Sequence, residues 1–202
     1  ETDIQTRVDE LVQKFYMDGI PYAAAHALGP EALPYLFALL ENPEKSGYWT
    51  NIVVTIGFIE DASAVDPLID FLEGAEGEVE GAAFRALLSV PYALGCIAAG
   101  GDDRSMAYLT DIVSGSRNTS HRWQYRGNPV SELVTEHAVM GLAVSGRPEA
   151  RQVLRALHAE IAEKGKQQIR RALSDTVPQA LSIMDRIDAR GRAAVLNPQW
   201  DE

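Results

Sequence analysis

Cysteine is nearly absent. Cys96 stands alone among 202 residues, so no disulfide forms within the chain. It lies in "YALGCIAAG" with no histidine or basic neighbour, the setting of a small buried thiol and not of a reactive one. Basic residues are scarce too: 18 Lys and Arg stand against 29 Asp and Glu. The deficit is uneven, with four basic against sixteen acidic residues in 1–101, and fourteen against thirteen in 102–202. No Lys or Arg occurs between Lys45 and Arg85. Nucleic-acid binding needs a basic face to neutralise phosphates, so no nucleic-acid partner is expected. The longest apolar run, "SVPYALGCIAAGG" at 89–101, is short for a bilayer and is broken by proline and glycine, so no membrane span is expected either. No signal or transit peptide is expected from the residues given. The chain starts at Glu1 without methionine, and removal of a preceding segment is expected. The compartment stays open, with the cytoplasm favoured.

Catalytic signatures are missing as well. No Gly-x-Ser-x-Gly elbow, phosphate-binding glycine loop or dinucleotide fingerprint is present. The acidic run "EGAEGEVE" (73–80) lacks the alternating ligands of an EF-hand and reads as a solvated turn. Asn118-Thr119-Ser120 fits a glycosylation sequon, which matters only in a secreted eukaryotic chain. No catalytic residue, metal or cofactor is assigned.

What the chain does have is a repeat. Val65, Leu68, Phe71 and Leu72 follow the i, i+3, i+6, i+7 spacing of one helix face. Leu33, Leu36, Leu39 and Leu40 repeat it, as do Met106, Leu109, Ile112 and Val113, and then Ala150, Val153, Ala156 and Leu157. Each copy follows another apolar-rich segment, and three of those carry a glycine before an apolar pair: Gly57-Phe58-Ile59, Gly95-Cys96-Ile97 and Gly141-Leu142-Ala143. A lone helical hairpin cannot bury its apolar stripe, so such units stack and share one core.

The stretch "GFIEDASAVDPLIDFL" resembles the HEAT-like repeat family, including the short form named after phycobilisome lyases. Gly57, Ile59, Asp61, Ala64, Val65, Pro67, Leu68, Ile69 and Leu72 carry the likeness, while Glu60 stands where family members often have glycine. The resemblance implies an all-α fold, a right-handed α-solenoid of about five HEAT-like helix pairs whose second helices line the concave face. A single domain over 1–190 is expected. It starts with a capping helix over 3–18, whose stripe is Ile4, Val8, Leu11, Val12, Phe15 and Tyr16, and it carries an inter-repeat loop at 115–130. Pro91 should interrupt or kink the first helix of the third repeat, and Pro178 should open the second helix of a fifth pair. Residues 191–202 read as a tail, pinned by Trp200.

The loop is the oddity. "RNTSHRWQYR" (117–126) gathers Arg117, His121, Arg122, Trp123, Tyr125 and Arg126, and no acid intervenes between Asp111 and Glu132. Three readings compete for it. It folds back on the acidic half with Trp123 as anchor, or it is an exposed contact site for an acidic peptide, an anion or a partner protein, or it is disordered. On the second helices, Tyr35, Asp66, Asp70 and Asp111 would meet in an acidic, tyrosine-bearing groove suited to a basic partner. The function expected is that of a non-catalytic scaffold or adaptor binding a protein or peptide. Salt-sensitive self-association of the basic loop with another copy's acidic half is a further possibility. The alternative is a HEAT-type enzyme or accessory, either lyase-like with a chromophore or small ligand, or a metal-dependent hydroxylase of the kind that uses His-Glu pairs. Here the one contiguous pair is reversed, Glu136-His137.

Overall fold

The computed structural model describes residues 3–17, 19–79, 81–116, 122–164 and 171–196. The protein is predominantly helical. After α1 (Ile4–Val12), helices alternate between two rows. The first row is α2 (Tyr22–His26), α4 (Trp49–Ile59), α6 (Gly81–Ala99), α8 (Ser131–Ser145) and α10 (Arg171–Arg190). The second is α3 (Leu33–Glu41), α5 (Val65–Glu73), α7 (Asp103–Ser114) and α9 (Pro148–Lys164). A short α11 (Arg192–Leu196) closes the described chain. Each first-row helix packs on the next, from α2 through to α10, whereas α3 and α5 lean on α4 and α6 more than on each other.

Glycine sets the spacing of the first row. A methyl on Gly95 would lie 2.1 Å from the Gly141 carbonyl oxygen, one on Gly141 would lie 2.3 Å from that of Pro91, and one on Gly57 would lie 2.6 Å from the Ala93 Cα. The backbones of α4, α6 and α8 therefore touch. Around this seam Leu36, Ile52, Ile56, Leu68, Leu72, Leu94, Ile97, Leu109 and Leu142 are fully buried. Each contributes about 1.5–3 kcal/mol of hydrophobic stabilisation.

Several expectations about elements are corrected. The capping helix ends at Val12, and Phe15 lies outside it, 91% exposed. Helix α6 runs unbroken through Pro91, which is buried against its neighbours. It is long and apolar enough to cross a membrane by length and composition, but most of it is buried in this fold, flanked by α4 and α8. Pro178 sits within α10 instead of opening a helix, so the fifth unit is one long helix followed by α11, inside what was read as tail. In α9 the fully buried positions are Ala150 and Leu154, so the stripe is offset from the one read in sequence, and Ala156 is exposed. Trp200 lies outside the described residues.

Arginines rivet successive units at the turns that enter the second row. Arg104 reaches back to the Ala62 carbonyl (2.8 Å) and to Asp66 (3.0 Å), and Arg147 reaches back to Asp103 (2.8 Å). Arg151 reaches forward to Asp185 (2.6 Å) and Asp188 (2.7 Å). Exposed pairs of this kind are worth about 0–1 kcal/mol each, so they fix register more than they add stability.

The seam makes a direct prediction. Gly95→Ala should lower stability by about 2–3 kcal/mol in a denaturant melt, because backbone on the facing helix cannot yield as a side chain can. Gly47→Ala, whose added methyl meets nothing within 4 Å, should stay within about 0.5 kcal/mol.

Candidate functional site

Two polar constellations stand out from the apolar stack. The first is the Arg/Trp segment. Trp123–Tyr125 forms β2, which pairs in parallel with β1 (Gly77–Glu78) and antiparallel with β3 (Asn128–Pro129). Between β2 and β3, Arg126 (φ 51°) and Gly127 (φ 73°) both have positive φ, as a two-residue type I′ hairpin turn requires. The Gly77 and Val79 amides donate to the Arg122 and Gln124 carbonyls, both at 2.9 Å. Arg122 pairs with Glu76, and the Gly127 amide donates to Glu78. Trp123 is 1% exposed and packs edge-on against Phe84, while Tyr125 stacks on the same ring at 3.7 Å. The segment thus folds back on the acidic half, and Trp123 is a core side chain, not an exposed contact. Arg126 stays exposed, its guanidinium carbon 5.1 Å from the Tyr125 ring centre. Arg117 and His121 lie outside the described residues, as does the Asn118 sequon.

The residues expected in an acidic groove each have their own surroundings. The Tyr35 hydroxyl donates to Asp9 (3.1 Å), Asp66 is held by Arg104, and Asp111 accepts from the Ser116 hydroxyl (3.3 Å). Asp70 is exposed, one helical turn from Asp66 on α5. Among the described residues no hydrogen bond or ion pair joins any two of these four. The histidines, too, have separate surroundings. The His26 and His137 Nδ1 atoms lie 2.9 and 2.8 Å from the Phe58 and Leu133 carbonyls, and His158 is exposed on α9. Among the described residues no three His, Cys, Asp or Glu side chains gather where a metal ion could bind.

The second constellation was not singled out in sequence. Arg192, first residue of α11, reaches across the C-terminal ends of α4 and α8 to the start of α2. Its Nε–H donates to the Val144 carbonyl on α8 (2.8 Å), its Nη1 pairs with Glu60 at the end of α4, and its Cζ lies 5.7 Å from the Tyr22 ring centre on α2. The Tyr22 hydroxyl donates to the same Glu60 oxygen (2.9 Å). Arg192 and Glu60 side chains are each only 15% exposed. Tyr22 stacks on His26 and meets Phe58 edge-on, and Phe58 meets Tyr92 in turn. Cys96 is fully buried beneath this cluster. Burial pushes its thiol up to about 12, with the Arg192 guanidinium pulling the other way and Glu60 adding to the rise. Burial likewise raises Tyr22, helped by its bond to Glu60, and raises Tyr92.

Glu60 is the one clue that sequence offered. It stands at the left-handed end of α4 (φ 63°), a position that Gly146 fills at the end of α8 (φ 65°). A non-glycine residue there costs about 1–2 kcal/mol. The carboxylate held there meets Arg192 and Tyr22.

Comparison with protein-family models, with curated proteins and with solved structures finds no match.

Two outcomes follow. Trp123→Ala should cost about 3–5 kcal/mol, whereas Arg122→Ala, which removes an exposed pair, should cost no more than about 1 kcal/mol in the same urea melts. The raised Cys96 value favours the folded state while the thiol keeps its proton. That contribution is complete below the ordinary thiol value near 9 and is lost as pH climbs toward 12. Cys96→Ala should therefore flatten the fall of stability across this window by up to one proton's slope. The tyrosine contributions remain in both proteins.

Proposed function

We propose that this chain is a non-catalytic helical-repeat protein, a right-handed HEAT-like solenoid acting as a scaffold or adaptor. The observation that carries this is the acidic, exposed second row: Asp66 and Asp70 lie on the open side of α5, in a half-chain with four basic and sixteen acidic residues. A stacked array offers long surface for its mass, and an acidic one suits a basic protein or peptide. The back-reaching arginines and the glycine seam support the repeat reading, since both recur from unit to unit. In a HEAT-like array the second row lines the concave face, so the acidic surface proposed for the partner is the concave one. Arg122 and Trp123 are engaged in bracing the acidic half, which leaves Arg126 as the described cation of that segment free to meet a partner. The same engagement gives, within one chain, the basic-to-acidic contact that self-association would make between two.

Affinity capture from the source organism tests the proposal, comparing wild type with Asp66→Lys/Asp70→Lys and with Arg126→Glu, each first shown to melt normally. A partner that is lost with the acidic-face variant, kept with Arg126→Glu and released by salt is the expected result. A stoichiometric metal or chromophore on the isolated protein, with no partner, would move the assignment to the enzyme class.

A further inference from the structure

The surroundings of Arg192 have the make-up of an arginine receptor, and every wall comes from elsewhere in the chain. Glu60 supplies a carboxylate, Val144 a carbonyl oxygen and Tyr22 an aromatic face, with Phe58 and Tyr92 behind. That set suits a guanidinium, which is planar, carries its donors in a fork and stacks on rings; an ammonium matches it poorly. The carboxylate has holds of its own. Glu60 is fixed by a left-handed backbone and by the Tyr22 hydroxyl, two constraints that do not come from Arg192. The occupant, by contrast, sits on a peripheral element. Among α11 residues none is buried, Ala193 and Ala194 are exposed, and Gly191 (φ 79°) separates α11 from α10. Besides Arg192, the half-buried Leu196 holds the strap, packing on the core where α11 touches α10 and α2.

We propose that this pocket is a binding site for an arginine presented by a partner polypeptide, and that α11 fills it in cis until such a residue displaces it. The site adds to the scaffold role proposed above and rests on it for the existence of a partner. Tethering through Gly191 gives Arg192 a local concentration in the millimolar range, so an isolated arginine cannot compete, whereas a partner anchored elsewhere on the array can. Lysine should not substitute.

Cys96, the sole cysteine, lies under the pocket and reports its occupancy. The full chain carrying Arg192→Ala, once its helical melt is shown to persist, should react with a maleimide at least about tenfold faster than wild type. The vacated side-chain volume opens a path to the thiol, and this outweighs the loss of the guanidinium, which by itself would reduce thiolate and slow labelling. Millimolar Nα-acetyl-arginine methylamide should slow labelling back toward the wild-type rate, and the lysine analogue should not. In Arg192→Ala/Glu60→Gln neither should act. Equal labelling of wild type and variant, no protection by the arginine analogue, or equal protection by the lysine analogue overturns the proposal. Should Arg192→Ala fail to fold, wild type decides by hydrogen exchange. Amides 192–196 opening independently of α6, at a rate insensitive to low denaturant, sustain the strap. Exchange only through global unfolding removes it. Success in the lysate capture together with failure here leaves the scaffold standing and discards only the pocket.

Discussion

The contact on which the rest depends is backbone against backbone: Gly95 on α6 against Gly141 on α8, and Gly141 in turn against Pro91. With no side chain between them, the first-row helices sit closer than Leu or Ile would allow, and their apolar atoms make dense van der Waals contact. Leu36, Leu68 and Leu109 of the second row are fully buried, and the second-row helices lean on the first row more than on one another. The polar chemistry divides along the same lines, with Asp66, Asp70 and Asp111 on the second row and the Arg192 cluster across the ends of the first.

Charge follows the same logic of stacking. Residues 1–101 are poor in bases, yet several of their acids are paired, because arginines from later units reach back. Arg104 meets Asp66, Arg122 meets Glu76 and Arg192 meets Glu60. Arg147 continues the direction one unit on, to Asp103. What looks in composition like a bipolar molecule is in part a sequence of directed clasps. The half-buried Arg192–Glu60 pair differs in kind from the exposed ones. Two charges taken largely out of water gain little net stability over apolar groups, but removing either alone leaves the other stranded, at a cost of about 3–5 kcal/mol. Such pairs specify an arrangement more than they strengthen it.

Much of the helix content was legible, and for identifiable reasons. Long segments with a 3.6-residue apolar period, such as Leu33–Leu40 and Val65–Leu72, leave little room for another structure, and the glycines at 57, 95 and 141 marked the seam before its geometry was known. The α9 stripe was misplaced because Val153, Leu154, Ala156 and Leu157 offer two overlapping periods, and only packing against α8 and α10 chooses Leu154. Pro91 reads in sequence as a break, yet α6 is wedged between α4 and α8 and tolerates one missing hydrogen bond; Pro178 is exposed on α10, which also continues through it. Strands of two or three residues have no period to read, so the pairing of Gly77–Glu78 with Trp123–Gln124 was visible only as a complementarity of charge. The Arg192 site was the least legible. Its members are spread from residue 22 to residue 192, and only Glu60, sitting where glycine is usual, hinted that a side chain was wanted at that bend.

The parallel pairing of β1 with β2 has a consequence for how the chain folds. In a simple stack each unit touches only its neighbours, so stability propagates along one dimension and the ends can fray separately. Here the turn after α5 is stitched to the link before α8, and α6 with α7 lies inside the closed circuit. That hairpin cannot come apart alone without breaking the stitch, and the stitch cannot form until the hairpin has brought its ends together. The middle of the molecule is thereby made a single cooperative unit, nucleated late and lost all at once. Changes in the length of the 115–130 link act on folding rate through the closure they must permit, well before they touch any surface.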